Sequence, residues 1–572
     1  MTLRALVRYL LFLAVGAVLA LALLYPIALT VRGGFASNVV TGEGWTLRHI
    51  AAVFRDPVLR DALLNSIGVA AATTTVAILL ALPLAMLGAN RSFPFKAALT
   101  SVVMVPMILP PFVGALGLRM ILGREGALNA LLGTDLDVLG SWRFIGVVIG
   151  EALALYPIIY LNATAALANL DPALSEAAEN LGAGPIRRFF TVTLPLIRPG
   201  LFAGATIVFI WSFTELGTPL MFDYYGVVPV HIYNGLKDVE RNPQPYALTV
   251  VMLLLAIGMY MIGRVLFGGS AYAMTTRAAR ASAEKPMGPV SGWLAALAFL
   301  VVTTLAITPH IGVVLLSVAA EGSWYASVLP REFTGHNYEQ ALTHPLAFGS
   351  IVNSLKLASM AMALDVIFGV LIAYLIVRAK VRGAWLLDAL AMLPLAVPGL
   401  VMAFGYVAMT LRWPFGPGDP LHGLIDIVGV SPNPVPLLVI AYSVRRLPYV
   451  VRSAVAGLQQ TSGELEEAAI NLGASTFRAV RSVVIPLIMA NIIAGAMLAF
   501  SFAMLEVSDS LILAQQERHY PITKAIYGFS DRLGDGAGIA SAMGVWGMAL
   551  LTVTLVGASI LLGKRLGALF RV

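Results

Sequence analysis

Two stretches of this chain are near copies: EAAENLGAGPIRRFFTVTLPLIRPG from Glu176 and EAAINLGASTFRAVRSVVIPLIMAN from Glu467. Each opens Glu-Ala-Ala (Glu176, Ala177, Ala178 and Glu467, Ala468, Ala469). Each then places a glycine six residues after its Glu (Gly182, Gly473) and a proline nineteen after it (Pro195, Pro486). The offset is 291 in a chain of 572 residues, so the fold has to be one unit made twice, head to tail. The repeat is wider than this motif. Asn65-Ser66 recurs as Asn353-Ser354, and Pro106 and Pro110 recur as Pro394 and Pro398, at an offset of 288. Pro157 recurs as Pro448 and Glu215 as Glu506, at 291.

Both copies are polar islands between long apolar runs. Hydrophobic residues make up 59% of the chain and charged residues 12%, more apolar surface than a water-soluble domain can hide but well suited to helices that face lipid. Windows of spanning length fall near 8–30, 63–88, 97–121, 144–169, 199–222 and 246–267. They recur near 292–317, 352–377, 386–411, 436–457, 488–513 and 542–563. The expectation is an all-α polytopic membrane protein of about twelve transmembrane helices. Residues 1–275 form the first repeat, 276–291 a linker and 292–572 the second repeat. An even number of spans per half makes the two six-helix repeats parallel, related by an axis along the membrane normal.

Arg4 and Arg8 precede an apolar run too long for a cleaved signal, which predicts a retained first helix with its N-terminus in the cytoplasm. An even number of spans then returns the C-terminus to the same side. The 37 Lys and Arg residues stand in short clusters between apolar runs, not in the stripe or arm of a nucleic-acid binder. Counted on the cytoplasmic side are Arg91, Lys96, Arg187, Arg188, Arg198, Arg264, Arg277, Arg280 and Lys285. The second half adds Arg378, Lys380, Arg382, Arg445, Arg446, Arg452, Arg478, Arg481, Lys564, Arg565 and Arg571. Cysteine is absent, which excludes disulfides, thiolate zinc sites and thiol nucleophiles.

The first island, 171–198, reads as an elbow. Asp171 can cap a helix whose first turn holds Pro172, Gly182 permits a left-handed turn, and Pro185 can start a second short helix. The second island, 461–489, keeps the order. An interfacial loop whose arginines meet anionic lipid accounts for one such segment but poorly for two with the same internal spacing.

Glu-Ala-Ala, three residues, Gly, nine residues, an aliphatic residue, one residue and then Leu-Pro or Ile-Pro resembles the permease subunits of binding-protein-dependent ABC importers. In this chain Val192, Val483 and Ile485 are mild departures from that pattern. The resemblance covers nearly the whole chain and is nearest to fused permeases of the ferric-iron group, whose relatives carry thiamine, phosphonates or sugar phosphates. It implies that Glu176, Ala177, Ala178, Gly182 and Pro195, with Glu467, Ala468, Ala469, Gly473 and Pro486, couple to two copies of a cytoplasmic ATPase. It also implies a periplasmic substrate-binding protein, a place in the bacterial inner membrane, and ATP and magnesium bound by the partners, not by this chain. No Gly-x-x-x-x-Gly-Lys-Ser/Thr loop is present, since Gly563-Lys564 is followed by Arg565. No catalytic triad or metal-ligand spacing is recognisable, so the expectation is a transporter, not an enzyme.

Glu151, Glu215, Asp365 and Glu506 fall inside apolar windows, where charge is costly and usually faces a polar interior. Glu215 and Glu506 occupy matching positions, and with Thr218 and Asp509 they are candidates to line a translocation path for a hard cation. A buried carboxylate bonded between helices is the competing account. Pro106, Pro110, Pro111, Pro394 and Pro398 should break the third helix of each half. The loops 223–241 and 516–531 should face the binding protein. An ion-coupled secondary transporter also has twelve helices in two halves, but it leaves the duplicated elbow without a purpose.

Overall fold

The structure is a computed structural model and describes residues 3–140, 143–267, 285–379, 381–427 and 432–562. Residues 276–284 of the expected linker, and Arg277, Arg280, Lys380, Lys564, Arg565 and Arg571, lie outside these. In chain order the elements used below begin with α1 Leu6–Phe35, α2 Pro57–Asn90, α3 Lys96–Ile108, α4 Pro111–Leu132 and α5 Arg143–Ala168. They continue with α6 Pro172–Asn180, α7 Pro185–Phe213, α8 Gly217–Met221, α9 Val228–Asn234, α10 Gln244–Phe267 and α11 Pro289–Val318. Next come α12 Pro345–Val377, α13 Ala384–Ala396, α14 Gly399–Thr410, α15 Val435–Gln460, α16 Glu464–Asn471 and α17 Thr476–Leu487. The last are α18 Met489–Met504, α19 Ser508–Leu513, α20 Ile522–Ser530 and α21 Gly536–Leu562. Among the described residues the named strands are β1 Arg91–Ser92 and β2 Lys285–Pro286, which pair in parallel.

Eight helices are long and apolar enough to cross a membrane, and three bent pairs raise this to eleven. The twelfth expected span is α15, 26 residues long, in which Arg445, Arg446 and Arg452 exceed the charge a simple hydropathy window tolerates. All twelve expected windows are therefore met by helices, six in each half.

The expected breaks occur where proline dictates. α3 meets α4 at 98° and α13 meets α14 at 105°. At each corner a proline is extended, Pro110 at ψ 138° and Pro398 at ψ 136°, and cannot donate to the preceding turn. A third bend, 76° between α17 and α18, has no counterpart in α7, which continues unbroken through the matching segment.

Helix starts repeat in function even where the residue changes. Asp56 accepts from the N–H of Val58 at 2.8 Å to start α2, and His344, 288 positions on, accepts from Leu346 at 3.2 Å to start α12. The repeated Asn-Ser pair also has one job in both places. Asn65 donates to the Gly226 carbonyl and Ser66 accepts from the Val228 N–H, both at 2.9 Å, fastening the start of α9. Asn353 and Ser354 do the same for α20, through the Arg518 carbonyl at 3.0 Å and the Ile522 N–H at 2.8 Å.

The chain forms two compact units that do not follow the sequence halves. Of the described residues, one holds those within 1–59, 229–253 and 337–562, and the other those within 60–228 and 254–336. In the first, Val15 and Leu19 of α1 share a core with Ile372 and Ala373 of α12, Leu387 of α13 and Val451 of α15. In the second, Phe299 and Ala306 of α11 share a core with Ala81 and Leu84 of α2 and Tyr156 and Ile159 of α5. Each unit thus draws one long helix from the other half of the sequence. A repeated glycine makes room for it. A Cβ on Gly117 of α4 would lie 2.3 Å from the Pro309 carbonyl oxygen of α11. One on Gly405 of α14 would lie 2.8 Å from that of Pro26 of α1.

Candidate functional site

Each elbow is built by its caps. Asp171 accepts from the Ala173 N–H at 2.9 Å and starts α6 one residue before Pro172, as its sequence predicts. At the far end Gly182 has φ +79°, its N–H donates to Glu179, and the Ala183 N–H donates to Ala178 at 3.0 Å. The second elbow repeats this closure. Gly473 has φ +92° and donates to Ile470, and Ala474 donates to Ala469 at 3.0 Å. This crossed pair of bonds stops a helix on a left-handed residue and turns the chain sharply. A side chain at either glycine would meet no atom within 4 Å, so the requirement is the backbone angle and not space. The second Ala of each Glu-Ala-Ala thus supplies the carbonyl that closes the turn. Pro195 and Pro486 each follow a widened five-residue turn, Phe189–Thr193 and Val480–Val484, which absorbs the N–H they lack.

Glu176, Ala177, Glu467 and Ala468 are exposed on these elbows. The sequence reading missed what stands beside them. Leu181 is 88% exposed and Leu472, its repeat equivalent, 90%, while Ile186 and Phe477 are both 75% exposed. Isolated exposed apolar residues are common. Two matched pairs 291 residues apart, on the same turn, mark a surface shaped for apolar contact. Their signal in the sequence was an apolar residue kept at a solvent-facing position in both copies.

The acidic residues expected along a path fall into unlike settings. Glu215 is half-buried, and its carboxylate accepts from the N–H groups of Gly217 at 3.2 Å and Thr218 at 3.3 Å, capping α8. Glu506 is 4% exposed and pairs with both Arg446 and Arg445, the latter at 3.2 Å, while Asp509 lies 3.8 Å from Arg445. The matching positions beside Glu215 are Ala154 and Leu155, so this pairing belongs to one repeat alone. Arg445 and Arg446, expected among the loop charges, are instead half-buried in mid-helix on α15, held there by Glu506. Glu151 accepts from Ser212 and Thr73, and Asp365 accepts from Ser443 at 2.6 Å, each across two helices.

The sequence profile of the family described as binding-protein-dependent transport system inner membrane component matches residues 74–267 and 365–567, once in each repeat. The chain belongs to this family. A ferric transport system permease of Actinobacillus pleuropneumoniae is 26% identical over 450 residues, 77% of this chain and 62% of that relative. This inner membrane component therefore spans less than two thirds of the ferric relative's length. A protein of Sinorhizobium fredii named as a probable ABC transporter permease is 26% identical over 540 residues, 90% of this chain and 89% of its own. A molybdenum transport system permease of Escherichia coli is 35% identical over 153 residues, 26% of this chain and 67% of the relative.

One further group of this inner membrane component escaped the sequence reading. Lys524 on α20 is 6% exposed and donates to the Tyr233 hydroxyl of α9 at 2.9 Å and to the Leu511 carbonyl at 3.0 Å. The rings of Tyr233 and Tyr520 flank its amine. Burial pushes the amine down from its ordinary 10.5 to about 8. A lysine that binds its proton less readily when folded penalises the fold at every pH below about 8, and the penalty fades as pH rises toward 10.5. Lys524→Met should therefore raise stability at pH 7 by about 2 kcal/mol, after allowing for the lost hydrogen bonds. The gain should vanish near pH 11, and unfolding midpoints of detergent-solubilised protein at the two pH values check this.

Proposed function

We propose that this chain is the membrane permease of an importer. Two copies of a separate ATPase seat on the elbows 171–198 and 461–489, and a binding protein delivers cargo to the opposite face of the bacterial inner membrane. The observation that carries this reading is the pair of elbows, with the same turn geometry and exposed apolar side chains at matching positions. Glu176, Ala177, Ala178, Gly182 and Pro195, and Glu467, Ala468, Ala469, Gly473 and Pro486, form the coupling surfaces. Both termini lie in the cytoplasm. The chain performs no covalent chemistry, and ATP and magnesium belong to its partners. The elbows convert closure of the ATPases into opening of the path. Glu215, Thr218, Glu506 and Asp509 lie along the route.

The cargo in this reading is ferric iron, in keeping with the name of the Actinobacillus relative. The Glu506 and Asp509 carboxylates would then act as paired groups that set the field along the route, since their charge already faces Arg445. The same arginines, with the molybdenum relative, favour an oxyanion as the second reading. Calorimetry on the partner binding protein separates them. Tight binding of Fe(III) is expected, and tight binding of molybdate, phosphonates or thiamine in its place would rule iron out.

A further inference from the structure

The two elbows are fastened to the rest of the protein in different ways. On the second, Glu466 of α16 is buried, and its carboxylate accepts from the Tyr374 hydroxyl of α12 at 2.7 Å. Arg378, the residue that ends α12, lies 3.9 Å from the same carboxylate. Its other nitrogen donates to the Thr461 carbonyl at 2.7 Å and to the Thr461 hydroxyl at 2.9 Å, just ahead of α16. Four polar groups thus clasp the start of the second elbow to the end of α12, and α12 packs along both α15 and α18. All of them belong to one compact unit.

The first repeat cannot build this clasp. Its residues at the four equivalent positions are Met86, Asn90, Leu170 and Ser175, with neither a carboxylate nor a guanidinium among them. An ion pair of the first elbow, Arg188 with Glu179, closes within the elbow itself. A push on α16 reaches α12 through charge-assisted side-chain bonds as well as through the backbone. The equivalent positions Met86, Asn90, Leu170 and Ser175 give α6 no counterpart of that charge-assisted clasp.

We propose that the two elbows are mechanically unequal, and that Tyr374, Arg378 and Glu466 are positioning residues that couple motion of the second elbow to α12. The proposal rests on the reading of the elbows as ATPase seats. It predicts that the ATPase seated on α16 contributes more to transport than the one on α6.

The test uses the full complex in liposomes, with its ATPase and binding protein, and reads ATP hydrolysed per cargo moved. Glu466→Gln, which keeps the shape and removes the charge, should raise that ratio about fivefold, the lower range of a typical coupling between sites. Glu467→Lys should cost more transport than Glu176→Lys in the native background, and the two should cost the same in the Glu466→Gln background. The swap Arg378→Glu with Glu466→Arg should recover part of the loss, which a variant that merely destabilised the fold would not do. If Glu466→Gln does not accumulate in the membrane, Tyr374→Phe carries the same test. An unchanged ratio in Glu466→Gln, or an elbow difference that persists in that background, overturns the proposal while leaving the elbow reading intact. If neither lysine variant uncouples hydrolysis from transport, the elbow reading fails first.

Discussion

Gly182→Pro is expected to leave ATP hydrolysis running while cargo transport falls more than tenfold. Proline locks φ near −65°, whereas this position stands at +79°, and it lacks the N–H that donates to Glu179. The crossed closure of α6 cannot form, at a local cost of about 3 kcal/mol. Because Gly182 is exposed at the edge of the fold, the cost falls on the elbow and not on the helical core. Gly182→Ala should be milder, about 1–2 kcal/mol, since only the left-handed angle is penalised. Glu176→Lys gives the same functional outcome by another route, reversing charge on an exposed face without touching the turn. Hydrolysis and uptake measured together in proteoliposomes, with binding-protein docking as a control, decide it. Normal uptake by all three variants would end the assignment of this surface to coupling.

The largest effect on stability should come from Glu506→Ala. Arg445 and Arg446 have side chains 22% and 14% exposed, and both lean on this carboxylate. Removing it leaves two guanidiniums in a helix interior with Asp509 at 3.8 Å as the remaining acidic partner among the ion pairs formed there. Breaking a buried pair by deleting one member costs about 3–5 kcal/mol. A lower yield in the membrane and a lower unfolding midpoint in detergent are expected, and adding Arg446→Met should restore part of both. Glu215→Gln weakens a helix cap and should cost about 1 kcal/mol. Equal midpoints for the two variants would show that the guanidiniums reach water without Glu506.

Local features were readable from the sequence because their causes are local. Asp171 and Pro172 start α6, Gly182 and Gly473 end the elbow helices, and Pro110 and Pro398 turn the third spans, each within a few residues of its signal. The repeat offset also made the twelve windows legible. What escaped depends on partners far along the chain. Arg445 and Arg446 look like loop charges until Glu506, about 60 positions away, is placed beside them. Tyr374 and Glu466, separated by 92 positions, carry no joint signal in one sequence, and neither do Lys524 and Tyr233 at 291. The bend between α17 and α18 falls at Ile488, with no glycine at the corner and the nearest proline two residues before it, so nothing in the composition announces it.

The core that α1 shares with later helices has a consequence for how the protein is made. Its close contact at Pro26 is with Gly405, nearly 380 residues downstream. At a ribosomal speed of roughly 5–20 residues per second, about 20–75 seconds separate synthesis of the two. During that time α1 waits in the bilayer without the surface it will finally cover. The high apolar content of α1, mean hydropathy 2.6, suits it to such a delay. Assembly of this unit therefore waits for translation of the second repeat, and a chain stalled before Gly405 would leave α1 unpaired in the lipid.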